Sequence, residues 1–159
     1  NPAAPFEVDT KVLGKRGTDS EVLWDHHAFT WLPAQGNEPA RFAIPVRLHD
    51  RIPNWKGFDA ALPSSWYDYT QTALYSLEVG PDGLMLSGTI VADVAEEATE
   101  TETDTDPVEP FVGIVAGDTA TRLFAPWFRV YSDRSVLADD AVYYLHNGEI
   151  LSSYWGEDK

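Results

Sequence analysis

Residues 141–154 read AVYYLHNGEILSSY, and this stretch decides the fold class. The dipeptide Asn147-Gly148 separates two short apolar runs, and both of its residues tolerate the positive φ that a two-residue type I′ turn requires. The stretch therefore predicts a hairpin of two antiparallel strands, Ala141–His146 and Glu149–Tyr154.

The same signature of β-branched and aromatic runs bounded by turn residues recurs along the chain, whereas helical spacing of apolar residues is not sustained. Pro81-Asp82-Gly83 predicts another tight reversal, and further reversals are expected at Asp139-Asp140 and Ala34–Asn37. The chain is therefore predicted to be all-β with antiparallel strands. The other predicted strands are Phe6–Leu13, Glu21–Leu32, Phe42–Leu48, Thr72–Val79, Leu84–Val91 and Phe128–Ala138.

Charge and composition exclude several classes of protein. Of 159 residues, 26 are acidic and 11 are basic, which gives a net charge of −15 and disfavours a nucleic-acid partner. The chain has no cysteine, which removes disulfides and thiolate metal sites, and no apolar run reaches the roughly 20 residues of a membrane span. Because the sequence starts at Asn1 rather than Met, we expect a processed fragment.

Two segments interrupt the strand pattern. Asp50–Ser65 contains isolated aromatic residues. We expect these residues to hold the segment in place as an ordered loop. Asp93–Glu109 is rich in carboxylates and Thr and has no basic residue, so it predicts a solvated acidic loop of a protein adapted to salt. An alternative is that this loop takes up calcium.

The predicted strands divide into two unequal groups. Four strands in series, from about 21 to 91, have the size of one up-and-down propeller blade. The last three strands, from about 127 to 155, form a sheet that is one strand short, and residues 6–13 are left as the outer strand of a further blade. We therefore assign residues 1–159 to part of a single domain, with the acidic loop at about 93–110 between the two blades.

Several segments also resemble a known family. They are Lys11–Phe29 (KVLGKRGTDSEVLWDHHAF), Ala43–Val46 (AIPV), Ala73–Val79 (ALYSLEV) and Arg134–Tyr144 (RSVLADDAVYY). In this order they are similar to secreted bacterial and archaeal proteins with a C-terminal β-propeller domain. His27 is a departure, because the family commonly has Lys at that position.

The resemblance implies that the chain is the C-terminal part of a β-propeller that is secreted, periplasmic or at the cell surface. Because 159 residues supply fewer than two blades, we expect another polypeptide, possibly a fragment of the same precursor, to supply the rest. A three-stranded last sheet would otherwise leave a strand edge uncovered.

Asp25, His26 and His27 are the candidate metal ligands. If they lay on a strand, the two histidines would point to opposite faces and only one could join Asp25 at a divalent metal, calcium or a transition metal. Together with Asp19 and Glu21 they form a dense polar cluster. The alternative is that this cluster is a structural hydrogen-bond network. His49 and His146 are expected to be solvated.

Four aromatic residues around the long loop are candidates for binding: Trp55, Trp66, Tyr67 and Tyr69. Flat rings can form a carbohydrate-stacking or protein-docking surface, but they can also pack between blades or pin the loop. No phosphate-binding loop, nucleophile elbow or H-E-x-x-H pattern is present. The sequence thus favours a non-catalytic binding or structural module over the alternative, a metal-dependent periplasmic enzyme with a channel site at Asp25 and His26 or His27.

Overall fold

The computed structural model describes residues 4–5, 7–95 and 133–155. Over these residues the chain forms two short 3-10 helices, Glu21–Leu23 and His26–Ala28, followed by seven strands. The strands are β1 (Thr30–Leu32), β2 (Ala40–Arg51), β3 (Asp68–Gly80), β4 (Gly83–Val94), β5 (Arg134–Ala138), β6 (Ala141–His146) and β7 (Glu149–Tyr154).

The strands form two antiparallel sheets, which confirms the predicted all-β class. The first sheet has four strands in the order β1-β2-β3-β4, and the second has three in the order β5-β6-β7. All pairings are antiparallel, and neighbours in the chain are neighbours in the sheet. Both sheets therefore have the up-and-down topology of propeller blades.

The predicted turns are confirmed where the backbone demands unusual dihedral angles. Asn147 and Gly148 have φ values of 49° and 83°, and they join β6 to β7 as a two-residue turn. Pro81 and Asp82 join β3 to β4, while Asp139, with a φ of 52°, joins β5 to β6. These turns could be predicted from the sequence, because the backbone geometry of each turn accepts only a few residue types.

A first apolar core lies between the two sheets. Leu74 of β3 is fully buried there against Leu137, Val142 and Tyr144 of the second sheet. The side-chain hydroxyl of Thr30 in β1 also donates to the backbone carbonyl of Ser135 in β5. This hydrogen bond joins the first strand of one sheet to the first strand of the other. The two sheets therefore pack face to face.

A second apolar core lies on the opposite face of the first sheet. It contains Val46, Ala73, Tyr75 and Leu77, with Leu13 packed against them. Because β3 supplies buried side chains to both faces, it is the central strand of the fold. Farther along this face, Trp31, Leu86 and Val91 are exposed.

Two predicted strands differ from the structure, and a third can be compared only in part. Residues 7–13 form no strand, because this segment crosses the first sheet and bonds through side chains: the Asp9 carboxylate accepts from the Leu84 amide at 2.7 Å. In the predicted strand Glu21–Leu32 only Thr30–Leu32 forms a strand, because Ser20 and Asp25 cap two 3-10 turns. Of Phe128–Ala138, the structure describes Asp133 and a strand at Arg134–Ala138, and residues 128–132 lie outside the described part.

The acidic loop cannot be compared in full, because residues 96–110 lie outside the described part of the chain. Residues up to Val94 continue β4. Within the described ranges, none of the helices has the length and apolar character needed to cross a membrane.

Candidate functional site

The predicted metal ligands lie on the second 3-10 helix. Asp25 caps this helix, and its carboxylate accepts a hydrogen bond from the His27 amide at 2.9 Å. The side chains do not alternate as in a strand: the His26 and His27 rings lie side by side, with centroids 4.0 Å apart. The expectation that the two histidines point in opposite directions is therefore wrong, because successive residues of a 3-10 turn project about 120° apart and not to opposite faces as in a strand.

Asp25, His26 and His27 each offer one ligand atom, and these atoms lie within 4.8 Å of one another. Both histidines are exposed. The Asp25 carboxylate, however, already binds Arg134, whose guanidinium donates to it at 2.7 Å. A metal ion at these three residues would have to share Asp25 with this cation.

Arg134, at the start of β5, connects both 3-10 helices to the second sheet. Besides Asp25, its guanidinium donates to the Glu21 carboxylate at 3.0 Å. Glu21 is only 8% exposed, and its other oxygen accepts the Asp133 amide at 2.7 Å. One cation thus bridges two carboxylates that belong to the segment before the first sheet.

Asp133 extends the network along β6. One carboxylate oxygen accepts the Tyr144 hydroxyl at 2.6 Å, and the other accepts Nδ1–H of His146 at 2.9 Å. The His146 Nε2 then accepts from the side-chain amide nitrogen of Asn147 at 2.9 Å. These bonds select the tautomer with hydrogen on Nδ1. His146 is thus half-buried and bonded, which corrects the expectation of a solvated side chain.

The network shifts the pKa values of its acidic groups in opposite directions. Burial raises the pKa of Glu21, although the Asp133 amide and Arg134 oppose the shift. The His27 amide, and then Arg134, lower the pKa of Asp25. Burial and the bond to Asp133 raise the pKa of Tyr144 well above its usual range. The shifts favour the ionised carboxyl of Asp25 and the neutral hydroxyl of Tyr144, whereas the shift of Glu21 opposes the ionised form that binds Arg134.

We call Glu21, Asp25, Asp133, Arg134, Tyr144 and His146 the Arg134 network. Its members are bonded to one another, so the arrangement is suited to holding the two 3-10 helices against the second sheet. Sequence reasoning found Glu21 and Asp25 as part of an acidic and histidine-rich cluster. It missed the other four because they follow more than a hundred residues later.

The four aromatic candidates separate into two kinds. Trp55 and Trp66 are 57% and 61% exposed. Tyr67 packs edge-on against Phe58, with ring centroids 5.2 Å apart, and Tyr69 donates its hydroxyl to the Asp93 carbonyl. The structure thus leaves indole faces available on the loop and uses the tyrosines for packing.

Two further contacts fix the loop. The Arg16 guanidinium lies 4.7 Å from the centre of the Trp66 ring, and Trp55 stands edge-on to Phe58 with centroids 5.9 Å apart. His49 bonds to the Tyr67 carbonyl through Nδ1 at 2.8 Å, so it too is not simply solvated. The long loop is therefore pinned by aromatic residues, as the sequence predicted.

Comparison with known proteins is consistent with this architecture. A protein-family model described as "Beta propeller domain" matches residues 1–157, which is nearly the whole chain. Comparison with curated proteins and with solved structures finds no significant match. The four-stranded and three-stranded antiparallel sheets have the strand order that such a domain requires. The chain therefore belongs to the beta propeller domain family.

Proposed function

We propose that this chain is a non-catalytic binding or structural module of a secreted or cell-envelope protein, and that another polypeptide supplies the remaining blades. The observation that carries the proposal is the free edge of β7. Within the part of the chain that the structure describes, no strand pairs with the outer side of β7, and Ile150 on this strand is 68% exposed. Unpaired strand edges template the addition of another strand.

The far face of the first sheet supports the same proposal. Trp31 and Phe42 are paired across β1 and β2 and lie 6.0 Å apart on the face away from the second sheet. Together with Leu86 and Val91 they expose apolar surface on a sheet whose other face is already covered. A neighbouring blade would bury both this face and the free edge.

Size-exclusion chromatography with light scattering tests the proposal on the full chain expressed alone. We expect concentration-dependent association and binding of a hydrophobic dye, because an edge and an apolar face need covering. Hydrogen exchange should show fast exchange in β7. A well-folded monomer at all concentrations, with protected β7 amides and no dye binding, would contradict the proposal.

The exposed indoles are the proposed contact for a protein partner. Trp55 and Trp66 offer large apolar area on a loop that aromatic packing already orders, so little conformational entropy is lost on binding. Tyr67 and Tyr69 would contribute indirectly, by holding the loop in place. Replacement of Trp55 by Ser should weaken association of the assembled propeller with its partner, while leaving the circular dichroism spectrum unchanged.

The placement in the envelope rests on the resemblance to secreted propeller proteins. Fractionation of the native organism with an antibody against this chain tests it. Recovery in the extracellular or envelope fraction is expected, and recovery only with soluble intracellular proteins would contradict it.

A metal-dependent activity is the second candidate, and the adjacent His26 and His27 rings favour it. In this proposal one or both histidines bind a divalent transition metal together with Asp25, and other blades complete the site. Metal analysis of the assembled protein should then give a stoichiometric ion that the double replacement His26→Ala and His27→Ala removes. Equal metal content in the variant would exclude these ligands.

A further inference from the structure

Residues 7–13 run along the first sheet without joining it. The Asp9 carboxylate accepts from the Leu84 amide at 2.7 Å, and the Lys15 amide donates to the His49 carbonyl at 2.8 Å. Leu84 and His49 pair with opposite ends of β3. The backbone between Asp9 and Lys15 therefore has to be extended to span them.

The two sides of this segment differ in their surroundings. Asp9 and Leu13 face the first sheet, since Asp9 bonds to Leu84 and Leu13 packs against the second apolar core. Side chains alternate along an extended backbone, so Val8 and Val12 point away from that sheet. They are 76% and 79% exposed, so nothing in the described part of the chain covers them.

The backbone of this segment is also largely unpaired. Among the described residues, the Thr10 amide, which donates to the Asp9 carboxylate at 2.8 Å, is the one backbone group of residues 7–13 with a hydrogen-bond partner. Amide and carbonyl groups of alternate residues in a strand point to opposite edges. The edge that Asp9, Lys11 and Leu13 present is therefore free to pair with another strand.

The β6–β7 hairpin determines which groups of β7 point outward. The Trp155 amide donates to the Asp140 carbonyl at 2.7 Å, and hydrogen-bonded pairs in an antiparallel ladder recur at every second residue. Ser153 and Leu151 therefore bond to β6. The intervening residues direct their amide and carbonyl groups to the free edge: Ile150, Ser152 and Tyr154.

We propose that the free edge of β7 accepts residues 7–13 of a second copy of this chain, which become the antiparallel fourth strand of the second sheet. In this pairing Val12 lies opposite Leu151 and Val8 lies opposite Trp155. The inference rests on the proposed function, because it names the polypeptide that covers the free edge.

The apolar side chains select this register. Leu151 and Trp155 pack against the core between the two sheets, so Val12 and Val8 of the neighbouring copy would extend that core. A shift of two residues in one direction places Val12 opposite the exposed Glu149 instead. A shift in the other direction leaves Val8 beyond the end of β7.

The other side of the segment selects the antiparallel direction. In the antiparallel register Leu13 lies opposite Ile150, which is 68% exposed. A parallel strand that keeps both valines opposite Leu151 and Trp155 would place Glu7 there instead. The antiparallel pairing therefore covers more apolar surface.

The same pairing brings two exposed apolar faces together. Because Asp9 and Leu13 hold the segment to its own first sheet, that sheet would follow the segment onto the neighbouring copy. Its far face, with Trp31 and Leu86 exposed, would cover the outer face of the second sheet, where Tyr154 is 64% exposed. Each copy gives one surface and receives at another, so association is head-to-tail and can continue beyond two copies.

Cysteine pairing tests the register, because the chain contains no cysteine of its own. Lys11→Cys and Ser152→Cys, both at exposed positions, are made in separate full-length chains and mixed under mild oxidation. Opposite residues of an antiparallel pair have Cα atoms roughly 5.5 Å apart, within the range of a disulfide. The mixture should give a disulfide-linked dimer on a non-reducing gel, and neither variant alone should do so.

Glu7→Cys mixed with Ser152→Cys is the matched control. It lies on the same side of the segment but four residues, or about 13 Å, from the pairing position, so it should form little dimer. Cross-linking of Glu7→Cys in place of Lys11→Cys would overturn the antiparallel register.

Light scattering of Val12→Asp provides a second measurement without a cross-link. This replacement places a charge opposite Leu151 and should lower the association constant more than about tenfold, while Leu23→Asp, exposed and outside both sheets, should not. Association that Val12→Asp leaves unchanged, without the Lys11–Ser152 cross-link, would overturn this inference and leave the free edge to a different partner. A monomer at all concentrations would contradict the proposed function as well.

Discussion

At the scale of single residues, Arg134 joins the two 3-10 helices to the second sheet. It binds Glu21 and Asp25, which precede it by 113 and 109 positions. Sequence reasoning identified both carboxylates as members of a polar cluster but could not identify their partner. Pairing over such a distance depends on how the sheets pack, and local patterns carry no information about it.

Replacement of Arg134 by Met should lower the free energy of unfolding by about 2–3 kcal/mol, because the buried Glu21 carboxylate loses its charged donor. Urea denaturation followed by Trp fluorescence measures the change. Arg51→Met, at an exposed position, is the matched control and should change stability by less than about 0.5 kcal/mol. Equal effects of the two variants would contradict the bridging role.

The opposite pKa shifts of Glu21 and Asp25 predict opposite pH effects on stability. The raised pKa of Glu21 means that its contribution is full below the unfolded value of 4.5 and is lost as pH rises through the folded value. The lowered pKa of Asp25 means that its contribution is present above 3.8 and is lost as pH falls through the folded value.

Urea denaturation of Glu21→Gln and Asp25→Asn across this pH range measures both effects. The stability of the native protein relative to Glu21→Gln should fall as pH rises above 4.5. Relative to Asp25→Asn it should fall as pH drops below 3.8. Differences that do not vary with pH would show that neither carboxyl has a shifted pKa in the folded state.

At the scale of elements, strands with tight turns were predicted well and the first segments were not. Asn147-Gly148 and Pro81-Asp82 define their hairpins locally, because dihedral angles restrict the residue type. Glu21–Leu32 has the β-branched and aromatic composition of a strand, but the capping side chains of Ser20 and Asp25 favour 3-10 turns. Tertiary packing decides whether such a segment forms turns capped by side chains or a strand bonded within a sheet, and composition does not show this packing.

The turn into β4 gives a test at this scale. Gly83 has a φ of 111°, and a Cβ there would lie 2.3 Å from the Asp9 carboxylate. Gly83→Ala should therefore destabilise the protein more than Gly36→Ala, which has a positive φ but open space and should cost roughly 1–2 kcal/mol. Thermal or urea unfolding compares the two variants.

The double variant Asp9→Ala with Gly83→Ala separates the two causes. If the clash contributes, the added cost of Gly83→Ala should be smaller when Asp9 is already removed. Strict additivity of the two replacements would show that backbone strain alone accounts for the effect.

At the scale of the whole molecule, the sequence predicted both the strand number in each sheet and the likeness to a propeller. It could do so because strand count and turn spacing are local properties that sum along the chain. The Arg134 network could not be predicted, since its members come from segments more than a hundred residues apart. The aromatic candidates were found by type, but only the structure distinguishes the exposed indoles from the packed tyrosines.

The free edge predicts how association responds to charge. Ile150→Lys places a cation on the outer strand of the second sheet, which should reduce association of the isolated chain without unfolding it. Light scattering measures the association constant, and Leu23→Lys, equally exposed but outside both sheets, is the control. Unchanged association in Ile150→Lys would mean that another surface is responsible.

The side-chain contacts between the sheets have a practical consequence. Glu21 with Arg134, Arg41 with Asp140, and Glu78 with the Trp155 indole all join residues before Ala95 to residues after it. A single protease cut introduced between positions 95 and 133 should therefore leave two peptides that remain bound until denatured. The two peptides, produced separately and mixed, would serve as a split reporter. The extent of their reassembly would measure the stability of the interface between the blades.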